Sequence, residues 1–316
     1  MIGIIGGSGF IGTRLVKRLL IENRKIKIID KNPSKEYNDL WVYADVRNID
    51  TLYQTLRGCK IIYNLAAEHG DNVKPKSLYY DVNVKGAENV CKVMQKLNIK
   101  KLIFTSSVAV YGFSKNDTCE HDELKPYNDY GKTKQLAEGI YLNWYNKTEN
   151  STLTIIRPTV VFGENNRGNV YNLFKQVIEG KFIMIGTGHN KKSMAYIENV
   201  ASFLEYLIKF RNGLYIFNYA DKPDLTMNEL IKIIQDNMRL NSKILKLPYW
   251  IGYSGGLFFD TLSLFTRKEY IVSSIRVKKF CENTVFSSKN IAETDFKPPI
   301  DLLLGIKKTL QSEFNC

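Results

Sequence analysis

Cysteine is scarce and unpaired in this sequence: Cys59, Cys91, Cys119, Cys281 and Cys316 stand far apart, with no C-x-x-C pair. That excludes a disulfide framework or a zinc ribbon and fits a reducing cytoplasm. Histidine is scarcer still, and His69, His121 and His189 have no partner at ligand spacing, so no metal site is expected. Only 8 of the 316 residues are proline and no segment is of low complexity, which excludes disorder and fibrous repeats. A membrane span needs about 20 mostly apolar residues. The nearest stretch, 244–265, is broken by Lys246, Pro248, Gly252, Gly255, Gly256 and Asp260. No basic leader precedes the opening MIGIIGG, so no signal peptide is expected. Acidic residues are the minority charge: 32 Asp and Glu against 45 Lys and Arg leave +13. Such a surplus favours an anionic partner, whether nucleic acid, an acidic membrane or a phosphorylated substrate. It recurs as pairs such as Lys100-Lys101, Lys191-Lys192, Lys278-Lys279 and Lys307-Lys308, which a solvated lysine-rich surface would also show.

The first 160 residues alternate β-branched runs with helical periodicity, the pattern of a parallel sheet covered on both faces. Strands are predicted at Ile2–Ile5, Lys25–Ile29, Ile61–Leu65, Leu102–Ser106 and Leu153–Arg157, and helices at Phe10–Ile21, Val82–Leu97 and Tyr130–Tyr145. The fold expected is α/β, a Rossmann-like doubly wound parallel sheet with a smaller, interleaved C-terminal domain. Residues 1–163 form the first unit, with 194–220 returning to it; 164–193 and 221–316 form a substrate-binding lid.

The first strand ends in Gly6, Gly9 and Gly12, a G-x-x-G-x-x-G with Phe10 and Ile11 opening the helix. Glycines there allow a tight turn, backbone approach to a pyrophosphate and close helix packing, while the helix N-terminus offers N–H groups. Asp30, 18 residues past Gly12, can accept hydrogen bonds from ribose hydroxyls and would repel a 2′-phosphate, favouring NAD; the adjacent Lys31 could tolerate NADP. Asp45, followed by Val46, could reach an adenine amino group or cap the helix that follows. Ser107 ends a strand, and Tyr130 and Lys134 stand at i and i+4 on a helix. That spacing puts phenol and ammonium on one face, so that Lys134 can lower the phenol pKa and hold a ribose while Ser107 bonds the same substrate oxygen.

These motifs, with TSSVAVYG at 105–112 and YGKTK at 130–134, resemble the extended short-chain dehydrogenase/reductases, specifically the NAD-dependent sugar epimerase/dehydratase family. The resemblance implies a catalytic set of Ser107, Tyr130 and Lys134. It also implies cofactor contacts at Leu65, Ala66, Ala67, Asn83 and Pro158, the last within Arg157-Pro158, and dimerisation through helices like 82–97 and 130–145.

Dehydratases of this family carry Asp-Glu after the serine or threonine of the triad; this chain has Val108-Ala109, which disfavours loss of water and leaves 4-epimerisation. The runs LAAEHGDNV (65–73), SLYYDVNVKG (77–86), RPTVVFGENNRGNVYNLFKQ (157–176), KSMAYIENV (192–200), YADKPDLTMNEL (219–230) and SSIRVKKFC (273–281) resemble the bacterial 4-epimerases of GlcNAc-diphospho-undecaprenol. A soluble UDP-GlcNAc or UDP-glucose 4-epimerase is the alternative, and a non-catalytic NAD-binding regulator a third; nucleic acid is not expected. Lys192 falls where nucleotide-sugar epimerases present an arginine to the diphosphate, and a lysine lacks the guanidinium fork. Arg167, Lys191, Arg276, Lys278 and Lys279 are further candidates for the diphosphate, and Glu68 for the sugar. The aromatic stretch 244–265, followed by Arg267-Lys268, suits either the surface of an anionic membrane or a buried lid hairpin. The expected placement is the cytoplasmic face of the bacterial inner membrane.

Overall fold

The computed structural model describes residues 1–70, 73–113, 117–266 and 273–314. Among the described residues, twelve strands run as β1 (Ile2–Ile5), β2 (Ile26–Asp30), β3 (Trp41–Tyr43), β4 (Ile61–Asn64), β5 (Lys101–Thr105), β6 (Thr152–Pro158), β7 (Val160–Phe162), β8 (Ile183–Ile185), β9 (Lys191–Tyr196), β10 (Gly213–Tyr219), β11 (Asp221–Thr226) and β12 (Leu245–Leu247). The helices are α1 (Phe10–Ile21), α2 (Ile49–Leu56), α3 (Ser77–Tyr79), α4 (Gly86–Lys96), α5 (Asp129–Asn146), α6 (Asn169–Ile178), α7 (Ile197–Tyr206), α8 (Met227–Asn237), α9 (Tyr249–Thr266), α10 (Ser274–Cys281), α11 (Lys289–Ala292) and α12 (Leu302–Phe314).

Seven strands form one all-parallel sheet in the order β10-β6-β5-β4-β1-β2-β3. The chain leaves β1 for β2 on one side and β4 on the other, so the strand order reverses there and a crevice opens at the carboxyl ends. The β-branched runs are buried on both faces, as a parallel sheet requires. On one face Ile5, Ile62, Leu102 and Phe104 pack with Trp144 and Tyr141 of α5; on the other, Ile4, Ile28 and Tyr63 pack with Leu15 of α1 and Phe203 of α7.

A smaller sheet, β11-β9-β7, and the pair β12-β8 belong to a third core built from Phe162, Phe174, Met194, Tyr196, Leu230 and Ile306. β10 is the outer strand of the large sheet, while β7 and β9 lie in the small one, which therefore straddles the expected borders at 163 and 193. Cys59, Cys91, Cys119 and Cys281 are free thiols, and Cys316 lies outside the described residues. Among the described residues there is no metal-binding cluster, and no helix is long and apolar enough to cross a membrane.

The stretch 244–265 is no hairpin. Residues 249–266 form the single helix α9, packed on α10. Arg267-Lys268 lie outside the described residues.

Candidate active site

A cleft of about 680 Å³ runs along the carboxyl ends of the large sheet, with the small sheet across from it. One end is the turn from β1 into α1. Gly6 has φ +77°, and a Cβ there would fall 2.6 Å from the Ala66 nitrogen; one on Gly12 would fall 2.6 Å from the Gly6 carbonyl oxygen. Gly9 caps α1 without a side-chain bond, so the first-turn N–H groups have no internal acceptor. Asp30, at the tip of β2, is oriented by two backbone donors: Ser8 N–H at 3.1 Å and Asn32 N–H at 2.9 Å. Phe10, Ile11, Val46, Leu65, Ala66, Ala67 and Pro158 also line the cleft. Asp45 lines it too, but its carboxylate is gripped by the Arg47 guanidinium at 3.0, 3.0 and 2.5 Å, which holds it below the usual carboxylate range. The helix that follows is capped by Asn48 instead, which accepts from Asp50 and Thr51 N–H groups.

Asn83 is not on the cleft wall. It lies in a π-helical turn, Tyr80–Lys85, where its amide donates to the Glu68 carbonyl (3.0 Å) and Thr133 Oγ1 (2.9 Å), and its oxygen accepts from Glu68 N–H (2.8 Å). The expected cofactor contact is thus a brace that pins the Ala66-Ala67-Glu68 loop to α5. Glu68 itself lines the cleft.

Ser107, Tyr130 and Lys134 meet in the middle of the cleft. Ser107 caps a 3₁₀ turn, Val108–Tyr111, accepting from Ala109 N–H at 3.1 Å; Asn128 caps α5, accepting from Gly131 N–H at 2.9 Å. The two caps press together because residue 131 is glycine: a Cβ there would lie 2.4 Å from the Ala109 carbonyl oxygen. Burial raises the Tyr130 phenol, and a hydrogen bond with the Ser107 side chain works against that rise. The Lys134 ammonium is buried and donates to the Thr105 carbonyl at 2.7 Å, with the Phe104 ring 4.8 Å away. Burial pushes it down to about 7, with Glu138 pulling the other way.

Of the predicted cationic contacts, Lys279 lines the cleft and Lys192, Arg167 and Arg276 do not. Lys192 donates to the carbonyls of Lys279 (2.9 Å) and Glu282 (2.7 Å), and burial lowers it to about 8. Arg167 pairs with Glu313 of α12 and stacks on Tyr171 at 4.3 Å. Arg276 stands on the exposed side of α10 and does not line the cleft. Lys279 does line it, with Ser193, Thr284 and Phe286 also on the wall. Lys278 and Lys279 stand over the rings of Phe113 (4.9 Å) and Tyr127 (5.7 Å), which stack on each other just before α5. Tyr127, Asn128, Asn166 and Asn169 of the cleft wall also went unforeseen; only the asparagines at helix starts carried a sequence signal, as caps. A second cavity of about 470 Å³ adjoins Tyr130, lined by Lys74, Lys76, Tyr79 and Lys132.

Residues 2–218 match the model of the NAD dependent epimerase/dehydratase family. The chain is 49% identical, over 98% of its length and 94% of the relative, to an N-acetyl-alpha-D-glucosaminyl-diphospho-ditrans,octacis-undecaprenol 4-epimerase of Escherichia coli O157:H7. It is 25% identical, over 98% of its length and 94% of the relative, to a UDP-glucose 4-epimerase of Vibrio cholerae. Its fold superposes with a TM-score of 0.76 on the UDP-glucose 4-epimerase of Thermus thermophilus in complex with NAD, at 19% identity and covering 98% of both chains.

Proposed function

The chain belongs to the NAD dependent epimerase/dehydratase family, and from that premise we propose that it is the 4-epimerase that interconverts GlcNAc and GalNAc on undecaprenyl diphosphate for surface polysaccharide synthesis. The observation that carries this is the 49% identity to the relative of that activity, spread over 98% of the chain and so including the lid that chooses the sugar carrier. The UDP-glucose epimerase matches at about half that identity over the same span. The meeting of Ser107, Tyr130 and Lys134 in one cleft favours an enzyme over a silent NAD-binding regulator.

The cradle fits NAD. Gly6 and Gly12 leave no room for side chains, α1 opens toward the cleft without a cap, and Asp30 stands ready for ribose hydroxyls. NAD, held by the Gly6-Gly9-Gly12 turn and Asp30, would supply a hydride acceptor at the sugar C4 and a hydride donor to either face of the ketone. Tyr130 Oη removes the proton of the 4-hydroxyl and gives one back at the end, and Ser107 holds that oxygen by a hydrogen bond. Because burial makes the phenol reluctant to ionise, Ser107 and a charged Lys134 must favour the phenolate. Val108 and Ala109 offer no carboxylate to expel water, so the ketone is reduced and not dehydrated. In this reading 1–163 with 194–220 hold NAD, and 164–193 with 221–316 form the lid. Lys279, Ser193 and Thr284 face the diphosphate across the cleft.

The lid also supplies a membrane surface. On α9 a Cβ on Gly252 would meet Ile185 at 2.5 Å and one on Gly256 the Ser274 backbone at 2.6 Å, so these two glycines face the protein. Several of its bulky residues face away, with Trp250 68%, Phe258 64% and Phe265 83% exposed. Exposed Lys243, Lys246, Lys278 and Lys279 lie on neighbouring segments, a combination suited to an anionic interface. Peripheral attachment to the inner face of the cytoplasmic membrane follows. A homodimer through α4 and α5 is supported by the exposed Leu136 of α5.

Offering the enzyme GlcNAc-diphospho-undecaprenol and UDP-GlcNAc in parallel tests the substrate. GalNAc on the lipid is expected, and turnover of UDP-GlcNAc alone overturns the assignment. Trp250→Ser with Phe258→Ser should release the protein from anionic liposomes; absence of wild-type binding at low salt overturns the attachment.

A further inference from the structure

The most deeply buried ion pair among the described residues has no part in the chemistry above. Glu138, on α5 one turn beyond Lys134, and Arg157, on β6, are 2% and 4% exposed at their side chains. Arg157 grips both carboxylate oxygens, Nε to Oε1 at 3.0 Å and Nη2 to Oε2 at 2.6 Å. Its remaining nitrogen, Nη1, donates to Tyr111 Oη (2.6 Å) and to the Glu120 carbonyl (3.1 Å). The pair is then anchored onward: Tyr111 Oη donates to Asn218 Oδ1 at 2.8 Å, and Asn218 N–H donates to Glu120 Oε1 at 2.7 Å.

A buried ion pair adds little stability, because desolvating two charges cancels most of their attraction. Its location calls for another role. Lys134 is a buried cation whose own contacts are the Thr105 carbonyl and the Phe104 ring on β5. The ionisable groups around it are Tyr130 and Glu138 on α5, with Ser107 on the facing turn and Arg157 behind Glu138 on β6. Of these, Glu138 is the one carboxylate whose charge favours the ammonium. Spacing of i, i+4 on one helix fixes their separation. The two-pronged grip of Arg157 stops the carboxylate from swinging into the cleft.

We propose that Glu138 is a positioning residue, locked by Arg157, that keeps Lys134 protonated and aimed at the strand end where it serves Tyr130 and the cofactor ribose. This rests on the assigned role of Lys134 and adds what sustains it. Arg157 at the same time ties the loop between Ser107 and Tyr130, through Tyr111 and Glu120, to the helix bearing Lys134. One ion pair thus fixes both halves of the site.

The test is the pH dependence of NAD affinity, followed by protein fluorescence, alongside that of turnover. A buried lysine deprived of its carboxylate loses its proton at lower pH, so in Glu138→Gln both should decline at a pH lower by about one unit. Tyr111→Phe keeps the pair and should leave the profiles in place. If Glu138→Gln does not fold, Glu138→Gln with Arg157→Met removes the pair as a unit and is read the same way. Reduced affinity or turnover with an unmoved pH profile would make Glu138 merely structural and overturn the proposal. If the NAD profile shifts while the wild type epimerises no sugar, the positioning role stands and the assigned activity falls.

Discussion

The Lys192 ammonium lies 2.9 Å from the carbonyl oxygen of Lys279, 87 residues away, and a second bond ties it to Glu282. The lysine expected to meet the diphosphate thus holds up the end of α10, and the lysine it supports faces the cleft. Lys279→Ala should raise the KM for the lipid-linked sugar about tenfold, one lost charged contact's worth, with NAD affinity unchanged. Lys192→Met should lower Tm as well as raise KM. Equal KM and Tm effects from the two variants, read by steady-state kinetics and thermal melts, would contradict this division.

Tyr130→Phe removes only the proton-transfer group. Turnover should fall by roughly 10²- to 10⁴-fold, while NAD binding, measured by titration, stays near the wild-type value. Near-normal turnover would remove Tyr130 from the mechanism.

Gly131→Ala should be disproportionately damaging for so small a change. The added methyl has 2.4 Å to the Ala109 carbonyl, so the Ser107 turn and the start of α5 must part. A stability loss of about 1–3 kcal/mol is expected, with a fall in kcat beyond what the remaining folded fraction explains. Urea titration and kinetics on the same sample check both.

Asp221 gives the stability a pH signature. Its carboxyl accepts from Tyr196 N–H at 2.7 Å and Tyr219 Oη at 3.2 Å, and burial raises it from 3.8 to about 6. Between those values the folded chain holds a proton that the unfolded chain has released. This group's favourable contribution is therefore full below about pH 4 and lost as pH rises through about 6, on the order of 3 kcal/mol in all. Asp221→Asn, which resembles the protonated form, should flatten that part of the stability–pH curve. An unchanged curve would show that Asp221 is not its source.

Long, strongly patterned elements were legible before the structure. Ile2–Ile5 and Phe10–Ile21 have the predicted bounds, and the sheet of parallel strands follows from the alternation of buried runs with amphipathic helices. Strands of three residues such as β7, β8 and β12 carry no period to read, and they belong to the two smaller sheets. The same divide runs through the site. The glycines, Asp30, Ser107, Tyr130 and Lys134 lie on local motifs, and the structure brings them to one cleft. Arg167 and Arg276 were chosen for their charge and Lys192 for its place in the resemblance, and neither tells which lysine meets a backbone carbonyl across 87 residues. Asn83 was tied to the cofactor by resemblance, whereas its three hydrogen bonds brace the loop that touches the cleft.

The central claim is a hydride that leaves C4 of a lipid-linked GlcNAc and returns to the other face. Its most direct test is GlcNAc-diphospho-undecaprenol deuterated at C4, with the product sugar released and analysed by mass spectrometry and NMR. The account predicts GalNAc on the lipid with deuterium retained at C4. Absence of lipid-linked GalNAc, or GalNAc whose C4 deuterium has exchanged for solvent hydrogen, would contradict it.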